Sequence, residues 1–304
     1  MKNVYIIIVN YNGQKDTVEC LRSLQKIYHK NFSIHIVIVD NDPENRINIL
    51  EKDYREINLK IIFSPKNLGF SGGNNLGITE AINNKADYIL LLNNDTLVSE
   101  DFLEKLIEFA EKNPKFGLIS PKIYFAKGFE FHKDRYGKED LGKVIWYAGG
   151  VMDWKNVIGL HRGVDKVDKG QFDDEEETDF ASGCCMLIKK SVIEDIGLLD
   201  EKYFLYYEDN DYSIRTKNAG YRIVYQPKSI IWHKNAGSTG GSGSKLQDYY
   251  ITRNRLLFGN RYASIRSKIA LNREAMRLFI SGRDMQKKGV IDYFAKNFGH
   301  FEKI

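Results

Sequence analysis

The sequence lacks the features of a membrane-spanning or secreted protein. No apolar run approaches the roughly 20 residues that a transmembrane helix needs, there is no low-complexity tract or internal repeat, and the N-terminus enters a strand pattern directly. We therefore expect a globular protein of the cytoplasm. The 304 residues, of which 42% are hydrophobic, suffice for one large core or for one core with a small appendage.

Cysteine is also scarce. The three cysteines, two of them adjacent as Cys184 and Cys185, have neither the spacing of a disulfide framework nor that of a metal site. We expect buried thiols that take no part in chemistry.

The balance of charge does not indicate a nucleic-acid partner, because the net charge is only +4. The charge is unevenly distributed, however. Residues 253–304 contain twelve Lys and Arg against four Asp and Glu, whereas residues 173–177 are all acidic. The basic end could lie on an anionic membrane surface or on a phosphate-bearing acceptor. It could equally be a solvated helix face or a surface that pairs two subunits.

The first 120 residues alternate between strand and helix patterns. Continuous apolar runs predict buried strands, and the segments between them have helical spacing. The predicted strands are 4–11, 34–40, 59–64 and 88–95; the predicted helices are 14–28, 43–54, a segment within the glycine-rich stretch 67–82, and 100–113 with Ser99 as its N-cap. This alternation predicts an α/β fold with a parallel, doubly wound sheet.

Beyond residue 120 the pattern is mixed. Strands are predicted at 144–154, 184–190, 221–227 and 229–233, with a helix near 191–196, a flexible loop at 238–244 and mostly amphipathic helix from Gln247 onwards.

Two of the predicted buried strands end on acidic side chains. The run 36–39 leads to Asp40, and the run 88–92 leads to Asn93, Asn94 and Asp95. Ligands of parallel α/β sheets bind beyond the carboxyl ends of the strands. Both acids are therefore expected to border one ligand crevice.

Several segments resemble family 2 glycosyltransferases and occur in the same order. They are VNYNG (9–13), VDND (39–42), NLGFSGGNNLGI (67–78), LLNND (91–95), FASGCCMLIKK (180–190) and FLYYEDNDYSIRTKNAGYRIVYQP (204–227). The resemblance covers about residues 4–258 and implies the GT-A fold, with a nucleotide-sugar-binding half (1–120), an acceptor half (121–245) and a helical basic extension (246–304) largely outside it. YAGG (147–150) and YYITRN (249–254) are similar to rhamnosyltransferase-type members that build bacterial surface polysaccharides.

The resemblance implies how the nucleotide base is recognised. Asp40 matches an aspartate that accepts a hydrogen bond from the ring N–H of uracil or thymine, and Asn10 and Tyr11 would line the same pocket. A buried carboxylate left without that donor is costly, so such a contact rejects other nucleotides. A turn-forming role is the alternative for Asp40.

Further donor contacts are expected from the glycine-rich stretch and from the C-terminal end. Gly72 and Gly73 would let the backbone approach the nucleotide, and Asn74 would bond it at a helix N-terminus. Packing alone is the alternative for the two glycines. Arg253 and Arg255 are candidate phosphate clamps.

The resemblance also implies Mg²⁺ or Mn²⁺ at the donor diphosphate, where a cation stabilises the charge of the leaving group. Asp95 would be a carboxylate ligand, and His233 would close the metal site or contact the diphosphate. The family usually has Asp-x-Asp here, and Asn93 replaces the first aspartate. Asn93 and Asn94 could instead contact the ribose or diphosphate; a simple turn at 94–95 is the structural alternative.

The catalytic base is expected in YYEDNDYSIR (206–215), because transfer to a sugar hydroxyl requires removal of its proton. Glu208 and Asp209 match the family's Glu-Asp pair, in which the aspartate is the base. Three acids within four residues raise one another's pKa values, which suits a base. Asp211 and Arg215, four residues apart, predict a supporting ion pair. An ordinary acidic helix start is the alternative.

Contacts to the donor or acceptor sugar are expected from Asp153, Trp154 and Cys184. Trp146 and Trp154 could stack on a sugar ring or only pack in the core. The loop 238–244 could close over the bound donor and exclude water.

Together these features predict a metal-dependent, inverting glycosyltransferase. The favoured donor is dTDP-rhamnose, followed by a UDP-hexose, and the acceptor is a glycan or lipid-linked oligosaccharide. A nucleotidyltransferase is disfavoured because VNYNGQKD (9–16) contains no glycine-rich, lysine-containing loop. The alternative from another class is a catalytically silent sugar-nucleotide-binding subunit of a polysaccharide assembly complex.

Overall fold

A computed structural model describes residues 1–49, 54, 57–235 and 244–301 of the protein. The strands are β1 (Lys2–Asn10), β2 (Phe32–Asp40), β3 (Asn58–Phe63), β4 (Tyr88–Leu92), β5 (Thr96–Val98), β6 (Phe116–Phe125), β7 (Ile145–Tyr147), β8 (Gly150–Asp153), β9 (Ile158–His161), β10 (Glu176–Glu177), β11 (Cys185–Lys189) and β12 (Arg222–His233). The helices are α1 (Gln14–Leu24), α2 (Gly69–Asn83), α3 (Phe102–Lys112), α4 (Lys190–Ile196), α5 (Glu208–Asn218), α6 (Lys245–Tyr262), α7 (Ile265–Ser281) and α8 (Asp284–Phe294).

The main sheet has the strand order β10-β12-β6-β11-β4-β1-β2-β3, with β5 paired to β12 and β7 to β6. Strands β3, β2, β1 and β4 are mutually parallel, as are β6 and β12. Strand β11 runs antiparallel to both β4 and β6 and joins the two parallel groups. The predicted α/β fold with a mainly parallel sheet is confirmed.

Both faces of the sheet are covered. Alternate side chains of β1 enter different clusters: Ile6 and Ile8 pack with α1 and α3, whereas Tyr5 and Ile7 pack with α2, α4 and α5. This two-sided burial explains why β1, β2 and β4 are nearly continuous apolar runs. Strand β6 spans residue 120, so the sheet crosses the boundary predicted between the two halves.

Two local predictions differ from the structure. Residues 43–49 form bends and no helix, and residues 50–53 lie outside the described part. The Asp42 carboxylate accepts hydrogen bonds from the N–H groups of Glu44 and Asn45, and such side-chain bonds compete with helix formation. The third helix begins at Phe102 with Asp101 as its N-cap residue, and the Ser99 hydroxyl donates to the Asp101 carboxylate.

The later segments fold largely as expected. Residues 222–233 form one strand with a register shift between Gln226 and Ile230, and α6, α7 and α8 pack against one another at the C-terminal end. Strands β8 and β9 form a separate hairpin. Of the helices that the structure describes, none has the length and apolar character to cross a bilayer. The predicted lid 238–244 lies outside the described residues except Ser244, whose hydroxyl caps α6.

Candidate active site

Asp95, which follows β4, lies beside the last residue of β12. Its Oδ1 is 3.1 Å from Nε2 of His233. The imidazole is buried, and the ring of Trp146 packs edge-on against it with 4.5 Å between the ring centroids. Nδ1 of His233 has no hydrogen-bond partner among the described residues. Trp146 therefore orients the histidine, the packing role that the sequence left open.

Lys234 fixes this pair from the other side. Its backbone N–H donates to the Asp95 carbonyl at 2.9 Å, and its ammonium group donates to Asp16 at 2.7 Å and to Glu19 at 2.5 Å. Burial alone lowers the pKa of Lys234, but the hydrogen bonds to the two carboxylates outweigh it and raise the pKa. The end of β12 is thereby tied to α1.

The predicted acidic pair lies at the first turn of α5. Asp209 is half-buried, and its Oδ2 accepts a hydrogen bond from the Gly183 N–H at 3.1 Å. Its Oδ1 accepts from the backbone and side-chain amides of Asn210 at 2.8 and 2.9 Å. Burial raises the pKa of Asp209 despite these bonds.

Glu208 is more deeply buried and less well satisfied. Its Oε2 has no hydrogen-bond partner within the described part of the chain. Burial first, and then the negative charge of Asp209, raise its pKa well above the ordinary value. The mutual effect predicted for this acidic cluster contributes to the raised pKa of Glu208, whereas burial raises the pKa of Asp209.

A two-residue bridge joins Asp209 to the Asp95 region. Gly183 donates to Asp209, and the carbonyl of the next residue, Cys184, accepts from the Asn93 N–H at 2.9 Å. The Cys184 thiol is close enough to Asp95 that the carboxylate adds to burial in raising the thiol pKa. Residues 183–184 therefore connect Asp209 to the segment that carries Asp95.

A chain of side-chain hydrogen bonds connects the tips of β1 and β2 to the same place. Asn10 donates to Asp40 at 3.2 Å, Thr17 donates to Asn10 at 3.0 Å, and Asn94 donates to Thr17 at 3.0 Å. The tips of β1 and β2 and the segment that follows β4 are thus connected through side chains. Thr17 was not predicted, because it lies inside a helix and a lone threonine gives no signal.

The environment of Asp40 differs from the one that a contact with a nucleotide base requires. Its carboxylate is completely buried and accepts from the N–H groups of Asp42 and Ile47 as well as from Asn10, with Arg46 at 3.6 Å. It thereby holds the segment 42–47 against the sheet. This leaves no surface for the predicted contact with a base, whereas Tyr11 is 42% exposed.

The glycine-rich stretch also differs from the prediction. Gly72, Gly73 and Asn74 lie inside α2, and a Cβ on the two glycines would stand 2.8 and 2.9 Å from neighbouring side chains. Asn74 donates to the Phe70 carbonyl of its own helix, and the N–H groups at the helix start donate to the Phe204 carbonyl. Packing thus accounts for the glycines, and the helix start is already occupied.

The role predicted for Arg253, a phosphate clamp, also differs from the structure. Its guanidinium is fully buried, and all five N–H donors are used on internal acceptors: Asn254, the Tyr249 hydroxyl and the carbonyls of Gly299, Lys202 and Tyr203. None is left for a phosphate. Arg255 likewise binds Glu274 and the Asn156 carbonyl.

The loop held by Arg253 leads directly into the acidic pair. Phe204, Tyr206 and Tyr207 all have φ between 62° and 71°, a left-handed conformation that is costly for bulky residues. The side-chain amide of Asn254 donates to the carbonyls of Tyr203, Leu205 and Tyr206. Asn254, which sequence reasoning missed although it ends YYITRN, therefore stabilises the strained approach to Glu208.

The predicted ion pair at the acidic helix is confirmed. Arg215 Nε donates to Asp211 at 2.8 Å. Asp211 is completely buried and also accepts from Arg261 and from the hydroxyls of Tyr203 and Tyr262. Asp211 is thus a structural anchor that ties α5 to α6.

The three predicted sugar-contacting residues have local partners. Asp153 accepts from the N–H groups of residues 155 and 156 in the turn between β8 and β9, and Trp154 stacks on Phe258 with 5.8 Å between centroids. Cys184 is buried, which leaves its thiol little surface for a sugar.

Asp95 and His233 are a carboxylate and an imidazole 3.1 Å apart, a pair that could contribute ligands to a cation. Across the residues that the structure describes, no three His, Cys, Asp or Glu side chains gather into a metal-binding group. Mg²⁺ typically uses one or two protein carboxylates and takes its other ligands from phosphates and water. The pair therefore fits a cation that a bound diphosphate helps to hold.

Comparison with known proteins identifies the family. The sequence model described as "Glycosyltransferase like family 2" matches residues 2–259. The chain belongs to this family. The predicted enzyme class, a glycosyltransferase, is therefore confirmed.

Relatives and solved structures agree with the family assignment. The chain is similar to the low-salt glycan biosynthesis hexosyltransferase Agl10 of Haloferax volcanii, with 25% identity over 86% of this chain and 76% of that protein. It is also similar to an N-acetylglucosaminyl-diphospho-decaprenol L-rhamnosyltransferase of Mycobacterium tuberculosis, with 25% identity over 51% of this chain and only 49% of that one. The crystal structure of GalNAc-T7 with UDP, GalNAc and Mn²⁺ superposes with a TM-score of 0.60 at 14% identity, over 97% of this chain and 58% of that one. The predicted GT-A fold is confirmed.

Proposed function

We propose that this family 2 glycosyltransferase moves a sugar from a nucleotide-sugar to a hydroxyl of a glycan or lipid-linked glycan, with inversion at the anomeric carbon. The observation that carries the proposal is the connection at residues 183–184, where Gly183 bonds Asp209 and Cys184 bonds Asn93 in the segment that leads to the Asp95–His233 pair. A proton acceptor opposite a group suited to a diphosphate is the arrangement that a single displacement requires.

Asp209 is the proposed general base. It takes the proton of the acceptor hydroxyl while that oxygen forms a bond to the anomeric carbon and the bond from this carbon to the diphosphate oxygen breaks. The hydrogen bonds from Gly183 and Asn210 fix the direction of its carboxylate. Its raised pKa makes it a stronger base than an exposed aspartate.

Asp95 and His233 are the proposed holders of Mg²⁺ or Mn²⁺ at the diphosphate. When bound, the cation would neutralise charge on the leaving group. Lys234 and Trp146 keep the two side chains in place. The GalNAc-T7 structure, which contains UDP and Mn²⁺, supports this part by analogy of fold alone.

The proposed donor is dTDP-rhamnose, followed by a UDP-hexose, and the proposed acceptor is lipid-linked. The name of the mycobacterial relative, which specifies an L-rhamnosyltransferase acting on a diphospho-decaprenol, supports both choices. Because Asp40 is buried, the proposed contact with the nucleotide base comes from Tyr11, which is exposed and directly follows β1.

The test is release of nucleoside diphosphate from a panel of dTDP-, UDP- and GDP-sugars, with Mn²⁺ and glycan or lipid-linked acceptors. We expect release with a dTDP- or UDP-sugar. Asp95→Ala and His233→Ala should each weaken nucleotide binding on the order of 10²-fold in Mn²⁺ and little in EDTA. The control, Asp101→Ala, removes an aspartate whose carboxylate bonds Ser99 near α3. Silence across the panel with intact nucleotide binding would instead support the non-catalytic subunit.

A further inference from the structure

Helix α7 exposes an unusually apolar stripe. Apart from Met1, the three most exposed large apolar side chains of the described chain are Ile280, Ile265 and Met276, at 77%, 74% and 63%. Ile269 and Phe279 are also at least half exposed. The spacing of these five residues places them along one side of a helix.

The opposite side of α7 is already used. Leu271 and Ala275 are buried, and Leu278 packs against the main core. Glu274, the one acidic residue of the helix, forms an ion pair with Arg255 at 2.9 Å. The packing of α7 against the rest of the fold therefore does not use the exposed stripe.

Four cations flank the stripe. Arg266, Arg273 and Arg277 are exposed along one border, and Lys268 lies at the other. None of the four forms an ion pair with any residue that the structure describes. An apolar face bordered by Lys and Arg is the pattern of a helix that lies in the surface plane of a bilayer, because the apolar groups enter the acyl boundary while the cations meet lipid phosphates.

We propose that α7 docks the enzyme on an anionic lipid bilayer through Ile265, Ile269, Met276, Phe279 and Ile280, with the four cations bound to the headgroups. The charges favour this occupant over a second copy of the chain. A twofold contact would bring the same cations of two copies together in a partly desolvated interface, and α7 offers no free carboxylate to offset them.

The position of α7 suits an enzyme that acts at a bilayer. The Arg255 guanidinium bridges Glu274 of α7 to the Asn156 carbonyl in the turn between β8 and β9. In the same hairpin, Gly159 lies against the Asn210 side chain, with only 2.7 Å left for a Cβ. Asn210 is bonded to the proposed base Asp209. Helix α7, the hairpin of β8 and β9, and the proposed base are therefore in consecutive contact.

The experiment measures flotation of the full chain with vesicles of phosphatidylcholine alone and of an equimolar mixture with phosphatidylglycerol. Binding to the anionic vesicles that weakens with salt supports the proposal; equal binding to both kinds, or none, overturns it. Ile269→Glu with Met276→Glu should abolish binding. Val164→Glu with Leu198→Glu, which adds the same charge at exposed apolar positions elsewhere, should retain most of it.

A second pair of variants avoids any change to apolar groups. Arg273→Gln with Arg277→Gln should weaken binding to anionic vesicles about thirtyfold, since each basic residue near the surface contributes about 1 kcal/mol. Lys112→Gln with Lys115→Gln removes equal charge from exposed positions at the end of α3 and should bind nearly as well as the wild type. Equal losses in the two pairs would overturn the assignment to α7.

Light scattering tests whether a second copy of the chain, instead of a bilayer, covers the stripe. If the wild type is a dimer that the Ile269→Glu, Met276→Glu variant converts to a folded monomer, while vesicle binding is unchanged, then a second copy covers the stripe and the proposal is overturned. The vesicle assay contains neither donor nor acceptor. Its outcome is therefore independent of whether the proposed transfer reaction is correct.

Discussion

The tip of β2 and the start of α5 each bury a carboxylate, but the two are satisfied very differently. At β2, both oxygens of Asp40 accept hydrogen bonds, from Asn10, Asp42 and Ile47, with Arg46 nearby. At α5, Glu208 leaves one buried oxygen without a partner in the described chain, and burial raises the pKa values of Glu208 and Asp209.

The difference separates a brace from an acidic pair in which burial favours protonation. A carboxylate surrounded by donors is stable as an anion and fixes the backbone that supplies those donors. A carboxylate buried among other acids gains from taking up a proton. The backbone carries a matching contrast, because the residues before α5 are held in costly left-handed conformations that Asn254 stabilises. Strain of this kind is characteristic of functional sites.

The largest expected effect is on catalysis at α5. Asp209→Asn should lower kcat about 10²- to 10⁴-fold, because the amide cannot accept the acceptor proton. Nucleotide affinity should stay nearly unchanged, since the proposed donor contacts lie across residues 183–184. Rates of product release and calorimetric nucleotide binding measure the two effects. The control is Asp174→Asn, an exposed aspartate of the acidic segment 173–177, and a fully active Asp209→Asn enzyme would remove the base from the proposal.

If Asp40 braces the segment after β2, its substitution should affect stability more than catalysis. Asp40→Asn should lower the free energy of unfolding by about 1–3 kcal/mol, because the amide nitrogen would face donors and the charged hydrogen bonds to the 42–47 segment would be lost. Urea unfolding measures this loss, again beside Asp174→Asn. The variant should retain most of its kcat. Unchanged stability together with a specific loss of uridine or thymidine diphosphate binding would contradict the brace and favour the base contact predicted from sequence.

The sequence was sufficient to predict the sheet and the convergence of acids at its edge. Short apolar runs rich in β-branched residues and bounded by turn residues favour strands that are covered on both faces, and parallel strands bring their carboxyl ends to one side. Asp95 was predicted on these grounds together with the family resemblance, and His233 and Asp209 were predicted from the resemblance. Their neighbours Lys234 and Gly183 were not, because single residues in unremarkable contexts acquire their role only when distant segments meet.

The failed assignments share a physical cause. Arg253 was interpreted as a phosphate clamp because guanidinium groups bind oxygen atoms, but carbonyl oxygens of the chain itself satisfy the same donors. Those carbonyls lie at residues 202, 203 and 299, about 50 residues away in either direction. Asp40 was assigned to a base because its position after a strand matched, and local sequence does not show that residues 42–47 fold back over it. Long-range packing decided the role of Arg253, and the fold of the segment directly after β2 decided that of Asp40.

The smallest expected effect is a change in how the free energy of unfolding depends on pH. Burial raises the pKa of Glu208 in the folded state above that of the unfolded chain, near 4.5. Below that value both states are protonated; as the pH rises toward the folded-state pKa, the unfolded carboxyl ionises first and the wild type loses stability. Glu208→Gln does not titrate, so its unfolding free energy should exceed that of the wild type by more at about pH 8 than at about pH 5, with a difference of about 1 kcal/mol. Glu108→Gln, at an exposed position on α3, should show no such trend. An advantage for Glu208→Gln that grew toward low pH would mean that the fold stabilises the Glu208 anion.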